Sequence, residues 1–310
     1  MTARAPSLWL RRTLDIRPGE AGVVAGLFSY FFAVMGAGYI ILPLKISKFL
    51  KDMPLQVLPV VLFGTAVAMS VVATLNSRFL QRLKPRRYIL SSLGFFIAGL
   101  ALFWFLEEMA PGSKVVPIVF WFWAEMFLAV SVSQFWILVN DRLSPRRVKR
   151  FIGLFIAGGL VGGIVGSALI LFVHGRALFL LCAGFLAAGF AVLLRLPASR
   201  REEADAAPAR PAKAGVGYLE SFRTLVRNRY LIFLSGLMLF AFAASGIIGF
   251  QFNLLLKAGV EAGRIAAYVG KFNSILLIVS TLLHILFTSR LLKTFGLKVA
   301  LFVSPAILAA

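Results

Sequence analysis

Charged and amide side chains set inside long apolar runs are where this sequence concentrates its potential chemistry. Glu125 stands about ten residues into the apolar run 115–139, roughly 15 Å along a helix at about 1.5 Å per residue. An acid near the middle of a hydrocarbon layer is costly. It marks either a structural ion pair, a protonated hydrogen-bonded group or, the reading favoured here, the wall of a polar cavity. Lys45 directly follows the run 21–44, where the ammonium either reaches the outer interface or turns into a cavity. Lys271 lies about eight residues into the run 263–289, beside Asn273 and Ser274. Gln251 and Asn253 lie late in the run 229–256, just after Ser245, Gly246 and Gly249, which loosen a helix locally. Two lysines and one glutamate at such depth would give a mildly positive cavity, suited to an anionic small molecule. His174 and His284 have no second ligand at metal spacing. With no nucleophile–base pair, metal cluster or phosphate-binding loop in the sequence, neither an enzyme nor a resident metal or cofactor is expected.

The elements that must position these residues are membrane helices. The chain has 310 residues, 60% hydrophobic and 15% charged, with a mean hydropathy of +0.90. A soluble domain is nearer 45–50% apolar and 25% charged. The apolar residues come in blocks of bilayer length, about 20 residues for a hydrocarbon core of about 30 Å. Eight spans are expected, at 21–44, 55–76, 88–106, 115–139, 151–173, 177–194, 229–256 and 263–289. A ninth apolar run from Val299 reaches Ala310 within twelve residues, too few to cross a bilayer, so the chain is expected to continue beyond it. The fold class is therefore all-α integral membrane. The run from Ala21 is too long for a cleaved signal and reads as a retained first span.

The formal charge of +21 would point to nucleic acid in a soluble protein. Here the basic residues fall between apolar blocks, and no nucleic-acid partner is expected. With the N-terminal tail inside, the tail and the segments 78–87, 142–150, 195–229 and 290–298 hold 25 of the 33 Lys and Arg residues. That bias predicts a cytoplasmic N-terminus. The lone cysteine, Cys182, cannot form an intrachain disulfide and reads as a small core residue. Gly158, Gly159, Gly162, Gly163 and Gly166 resemble a dinucleotide fingerprint, but no strand precedes them. Their spacing inside an apolar run reads instead as a close helix–helix contact.

The organisation follows: a cytoplasmic tail over 1–20, a first six-helix bundle over 21–194, a cytoplasmic linker over 195–228, and the start of a second bundle over 229–310. The linker is rich in Ala, Pro and charge and lacks apolar periodicity. Its last part, from Tyr218, reads as a short amphipathic helix at the inner membrane surface. Six spans, an inner linker and further spans resemble the layout of the major facilitator superfamily.

More specific stretches narrow the resemblance. Phe135-Trp136-Ile137-Leu138-Val139-Asn140-Asp141, followed by Lys149-Arg150-Phe151-Ile152-Gly153-Leu154-Phe155, resembles a signature of the ATP:ADP antiporter family, the nucleotide transporters of plastids and intracellular bacteria. Gly249-Phe250-Gln251-Phe252, and the stretch from Gly270 through Ser289-Arg290-Leu291-Leu292 to Gly296, are similar to further parts of it. The resemblance implies a twelve-span facilitator-like carrier in a bacterial inner membrane, exchanging adenine nucleotides by alternating access. It places Lys45 near the family's first-span lysine and Glu125 within about a residue of its fourth-span acid. Gly249 stands near the seventh-span acid of relatives, and Leu42 and Ile46 stand where many relatives carry charge. Depth in the apolar runs and the resemblance together give an expected substrate-binding set of Lys45, Glu125, Asn140, Gln251, Asn253 and Lys271. Two other functions stay open: carriage of a different organic anion, and a membrane module that anchors a regulatory domain without transporting.

Overall fold

The structure is a computed structural model and describes residues 20–197 and 218–283. The N-terminal tail up to residue 19, the linker between 198 and 217, His284, the end of the eighth span and the run from Val299 lie outside the described residues. Among the described residues the secondary structure is helical, with α1 Ala21–Asp52, α2 Leu58–Arg82, α3 Pro85–Met109, α4 Val115–Arg142, α5 Pro145–Leu169, α6 Ala177–Arg195, α7 Tyr218–Arg227, α8 Arg229–Gly259 and α9 Ile265–Leu283. Short 3-10 turns at Leu55–Val57 and Ala262–Arg264 precede α2 and α9. Eight helices among the described residues are long and apolar enough to cross a membrane, as expected. The amphipathic segment expected from Tyr218, in the last part of the 195–228 stretch, is helical as α7.

Each boundary has a local cause. Pro85 and Pro145 open α3 and α5 at the first turn, where a missing N–H leaves nothing unpaired. Gly112 and Gly175 turn the chain at φ +82° and +63°, a region that side chains with a Cβ rarely enter. The largest departure from the sequence expectation is α1, which continues past residue 44 to Asp52. Ile46, Phe49 and Leu50 carry the buried stripe onward, while Lys45 and Lys48 are paired with Glu125 of α4 and Glu107 of α3.

The helices alternate direction. One end of the bundle, here called the Glu20 end, gathers the start of α1, the ends of α2, α4 and α6, and the starts of α3 and α5. Glu20, 7% exposed, pairs with Arg147 Nε at 3.1 Å and with Arg150, fastening α1 to α5. At the same end Arg142 donates to the Pro197 carbonyl and Arg86 to the Leu194 carbonyl. At the opposite, Asp52 end, Arg176 pairs with Glu108 at 2.7 Å.

α1 is the central strut, packed against α4, α5 and α6. The glycine run of α5 faces it. A Cβ on Gly162 would strike the Phe32 carbonyl, and one on Gly166 the Gly36 carbonyl. The two backbones therefore touch, the close contact expected of small residues in membrane helices. Phe135 of α4 stacks on Phe31 of α1 at 3.9 Å and meets Phe155 of α5 edge-on at 5.9 Å. Cys182 is fully buried beside the Ala37 carbonyl, a small core residue.

α8 and α9 join the six-helix set mainly toward the Asp52 end. Leu256, Ile265 and Val269 complete an apolar cluster with Phe49, Met53, Leu58 and Trp121. Lys257 donates to the Met53 carbonyl. Ser274 of α9 bonds Ser167 of α5, Oγ to Oγ, at 2.9 Å, while Gly270 brings α9 against the Ser167 carbonyl and Ile170. Leu277 continues this contact onto Gly163. Asn253 and Leu256 are the buried residues of α8, and no described residue of that helix before Asn253 is buried.

Candidate functional site: a Lys–Glu pair beneath an apolar closure

Lys45 lies seven residues before the end of α1, or about 10 Å along the helix, and is only 4% exposed. Of the two positions open to it, the interface or an enclosed one, the structure gives the enclosed one. Its ammonium turns inward and pairs with Glu125 Oε1, because α1 and α4 pack side by side. Pro43, two residues earlier, cannot donate the backbone bond to the Tyr39 carbonyl. Lys45 Nζ also sits 4.7 Å from the centroid of the Trp121 ring, within cation–π range. Trp121 and Glu125 are one turn apart on α4, so one helix face supplies both the carboxylate and the aromatic plane.

The pair is not sealed. Glu125 remains 30% exposed, so one side of the carboxylate is open while the lysine is enclosed. Trp121 is shared with the apolar cluster, meeting Phe49 edge-on at 5.1 Å. The Lys45–Glu125 pair therefore lies against the layer of apolar side chains that joins α8 and α9 to the six-helix set. Asn253, 8% exposed, is one turn from Leu256 of that layer, and its Oδ1 has no hydrogen-bond partner among the described residues. Such an orphaned buried acceptor is uncommon and calls for a ligand, an ion or water.

A second ion pair lies one turn further along α1. Lys48 pairs with Glu107 of α3 and stands 6.0 Å from the Phe179 ring. With Lys51 and Asp52 it borders a small cavity of about 120 Å³ at the Asp52 end. Sequence reading missed Lys48, Glu107 and Trp121. The spacing of Lys45 and Lys48 by three, and of Trp121 and Glu125 by four, was the available signal, since each pair shares a helix face.

The remaining expected site residues are placed as follows. Asn140 is exposed at the Glu20 end of α4, fifteen residues or about 22 Å along the helix from Glu125. Gln251 is exposed on α8, on the side away from Asn253. Lys271 is exposed on α9, one turn before the buried Ser274. The structure thus brings Lys45 and Glu125 together, sets Asn253 at the adjoining interface, and leaves the other three outside that contact. In the sequence signature, Phe135, Phe151 and Phe155 are core residues and Arg150 pairs with Glu20.

The described residues form an all-α bundle of eight apolar helices with an enclosed ion pair. A family model for the Major Facilitator Superfamily matches residues 6–310. The chain belongs to that superfamily and is a membrane transporter of the facilitator type. Searches of curated proteins and of solved structures returned no match.

Proposed function

We propose that this chain carries adenine nucleotides across a cell membrane by exchange, ATP against ADP, through alternating access. The observation that supports this reading best is the Lys45–Glu125 pair, half-open and set against the apolar layer between the two helix sets. A lysine held by a carboxylate is ready to exchange that partner for a phosphate. The ammonium takes the new anionic acceptor without first being dragged from water. Glu125 then orients Lys45 and returns to it when the substrate leaves. Trp121 offers an aromatic face next to the ammonium, and Asn253 an unused carbonyl oxygen from the second helix set. Lys271, Gln251 and Asn140 are proposed as contacts made in other stages of the cycle.

The contacts between the helix sets lie mainly toward the Asp52 end. With the basic Glu20 end in the cytoplasm, as the loop charges favour, this corresponds to closure on the outer side. Residues 21–194 act as the first bundle and residues from 229 as part of the second. Exchange needs neither hydrolysis nor a catalytic residue.

The test is uptake of labelled ATP by vesicles holding the protein, with unlabelled anions as competitors. Nucleotide carriage predicts that ATP and ADP compete and that simple carboxylates and inorganic phosphate do not. Competition by another organic anion would assign a different substrate to the same fold. Absence of any uptake with a correctly folded protein would favour a non-transporting membrane module.

A further inference from the structure

A groove of about 400 Å³ lies between α2, α3 and α4, away from the Lys45–Glu125 pair. Val72, Leu75 and Phe79 of α2, Phe95 of α3, and Met126 and Val130 of α4 wall it. Phe79 and Phe95 are 49% and 56% exposed, so the walls present bare hydrocarbon to whatever fills the groove. From Val72 it follows α2 to its end and reaches Leu83 just beyond, eleven residues on, about 16 Å at the helical rise. That is roughly half of a ~30 Å hydrocarbon core, the depth of one leaflet.

The groove has a polar floor and a charged mouth. Tyr88 donates to Asn76 Oδ1, and Ser92 donates to Gln134 Oε1 at 3.2 Å. Behind them Gln134 is 1% exposed, and its Nε2 has no partner among the described residues. At the Glu20 end the groove is lined by Phe79, Leu83 and Tyr88, whose chain neighbours Arg78, Lys84 and Arg87 are all exposed. Nearby Arg86 is engaged with the Leu194 carbonyl. Among the described residues, no carboxylate pairs with Arg78, Lys84 or Arg87.

We propose that this groove binds an anionic phospholipid of the leaflet at the Glu20 end, with one acyl chain between α2, α3 and α4 and the phosphate against Arg78, Lys84 and Arg87. The occupant is fixed by three features together. The walls take only an apolar chain, the length matches one leaflet, and the mouth carries cations without acidic partners at the depth of a headgroup. Basic clusters beside membrane helices attract anionic headgroups in this way. A zwitterionic lipid would offer the same chain but leave the cations uncompensated. The site is independent of what the protein carries.

The full chain, purified in detergent and stripped of lipid, is titrated with phosphatidylglycerol or phosphatidylcholine, following bound lipid by native mass spectrometry and Tm by thermal unfolding. Phosphatidylglycerol is expected to bind with a stoichiometry near one and to raise Tm, and phosphatidylcholine to do so far more weakly. Lys84→Gln and Arg87→Gln, both at exposed positions, should each weaken phosphatidylglycerol about fivefold without lowering the Tm of the lipid-free protein. Ser91→Trp should fill the groove and abolish the stoichiometric complex. Val72→Trp provides a second block from the opposite wall if that variant folds poorly. Equal binding of the two lipids would overturn the proposal. So would a loss of binding in the charge variants with none in the folded groove-filling variants, which would describe adsorption to a basic surface.

Discussion

Lys45 and Glu125 carry most of the chemical content of this fold, and their energetics separate structure from function. Removing one partner strands the other at membrane depth, so Lys45→Met is expected to destabilise the protein by about 3 kcal/mol, the low end for a broken buried pair because Glu125 is partly open. The double variant Lys45→Met/Glu125→Leu removes both charges and should recover most of that loss in a thermal or denaturant unfolding measurement. Transport should remain lost in both. Recovery of transport in the double variant would reduce the pair to a structural device. The depth of Glu125 was legible in the sequence, since an acid in the middle of an apolar run has few roles. Its partner was not, because the apparent end of the first span hid the fact that Lys45 is helical and enclosed. Only the packing of α1 on α4 decides which way that ammonium turns.

At the scale of elements, the α1–α5 contact sets how the helices around α1 pack. Gly162 and Gly166 leave no room for a Cβ against the carbonyls of Phe32 and Gly36. Gly162→Leu is therefore expected to cost about 3 kcal/mol or to prevent folding, as overpacking against backbone has no flexible neighbour to yield. Gly184→Ala on α6, where an added methyl meets nothing, should leave the unfolding midpoint unchanged within error. Glu20→Gln should loosen the same helix pair at its other end, because Arg147 and Arg150 both converge on that carboxylate. Proteolysis at the start of α5 would report it as faster cleavage. The spans themselves were readable from run length and hydropathy, and the glycine spacing announced a close contact. The partner of that contact was not readable, because a small-residue stripe has no intrinsic preference among neighbouring apolar helices.

For the whole molecule, α8 and α9 meet the six-helix set mainly toward the Asp52 end, through an apolar cluster and the Ser167–Ser274 bond. A carrier that alternates must break this contact in each cycle. In a Cys182→Ser background, Ser167→Cys with Ser274→Cys should cross-link on mild oxidation and stop transport, with activity returning on reduction. Each single cysteine should leave transport reversible and intact. The eight spans among the described residues were visible in the sequence. The asymmetry of the contacts was not, because apolar residues on α8 and α9 look alike whether they face a helix, a lipid or a cleft. The most direct measurement of the central claim is trans-stimulation in vesicles loaded with ADP. Labelled ATP should enter faster into loaded than into empty vesicles for the native chain, and the difference should vanish in the folded Lys45→Met/Glu125→Leu variant. Equal entry into loaded and empty vesicles, or a stimulation that survives in that variant, would contradict nucleotide exchange at the Lys45–Glu125 site.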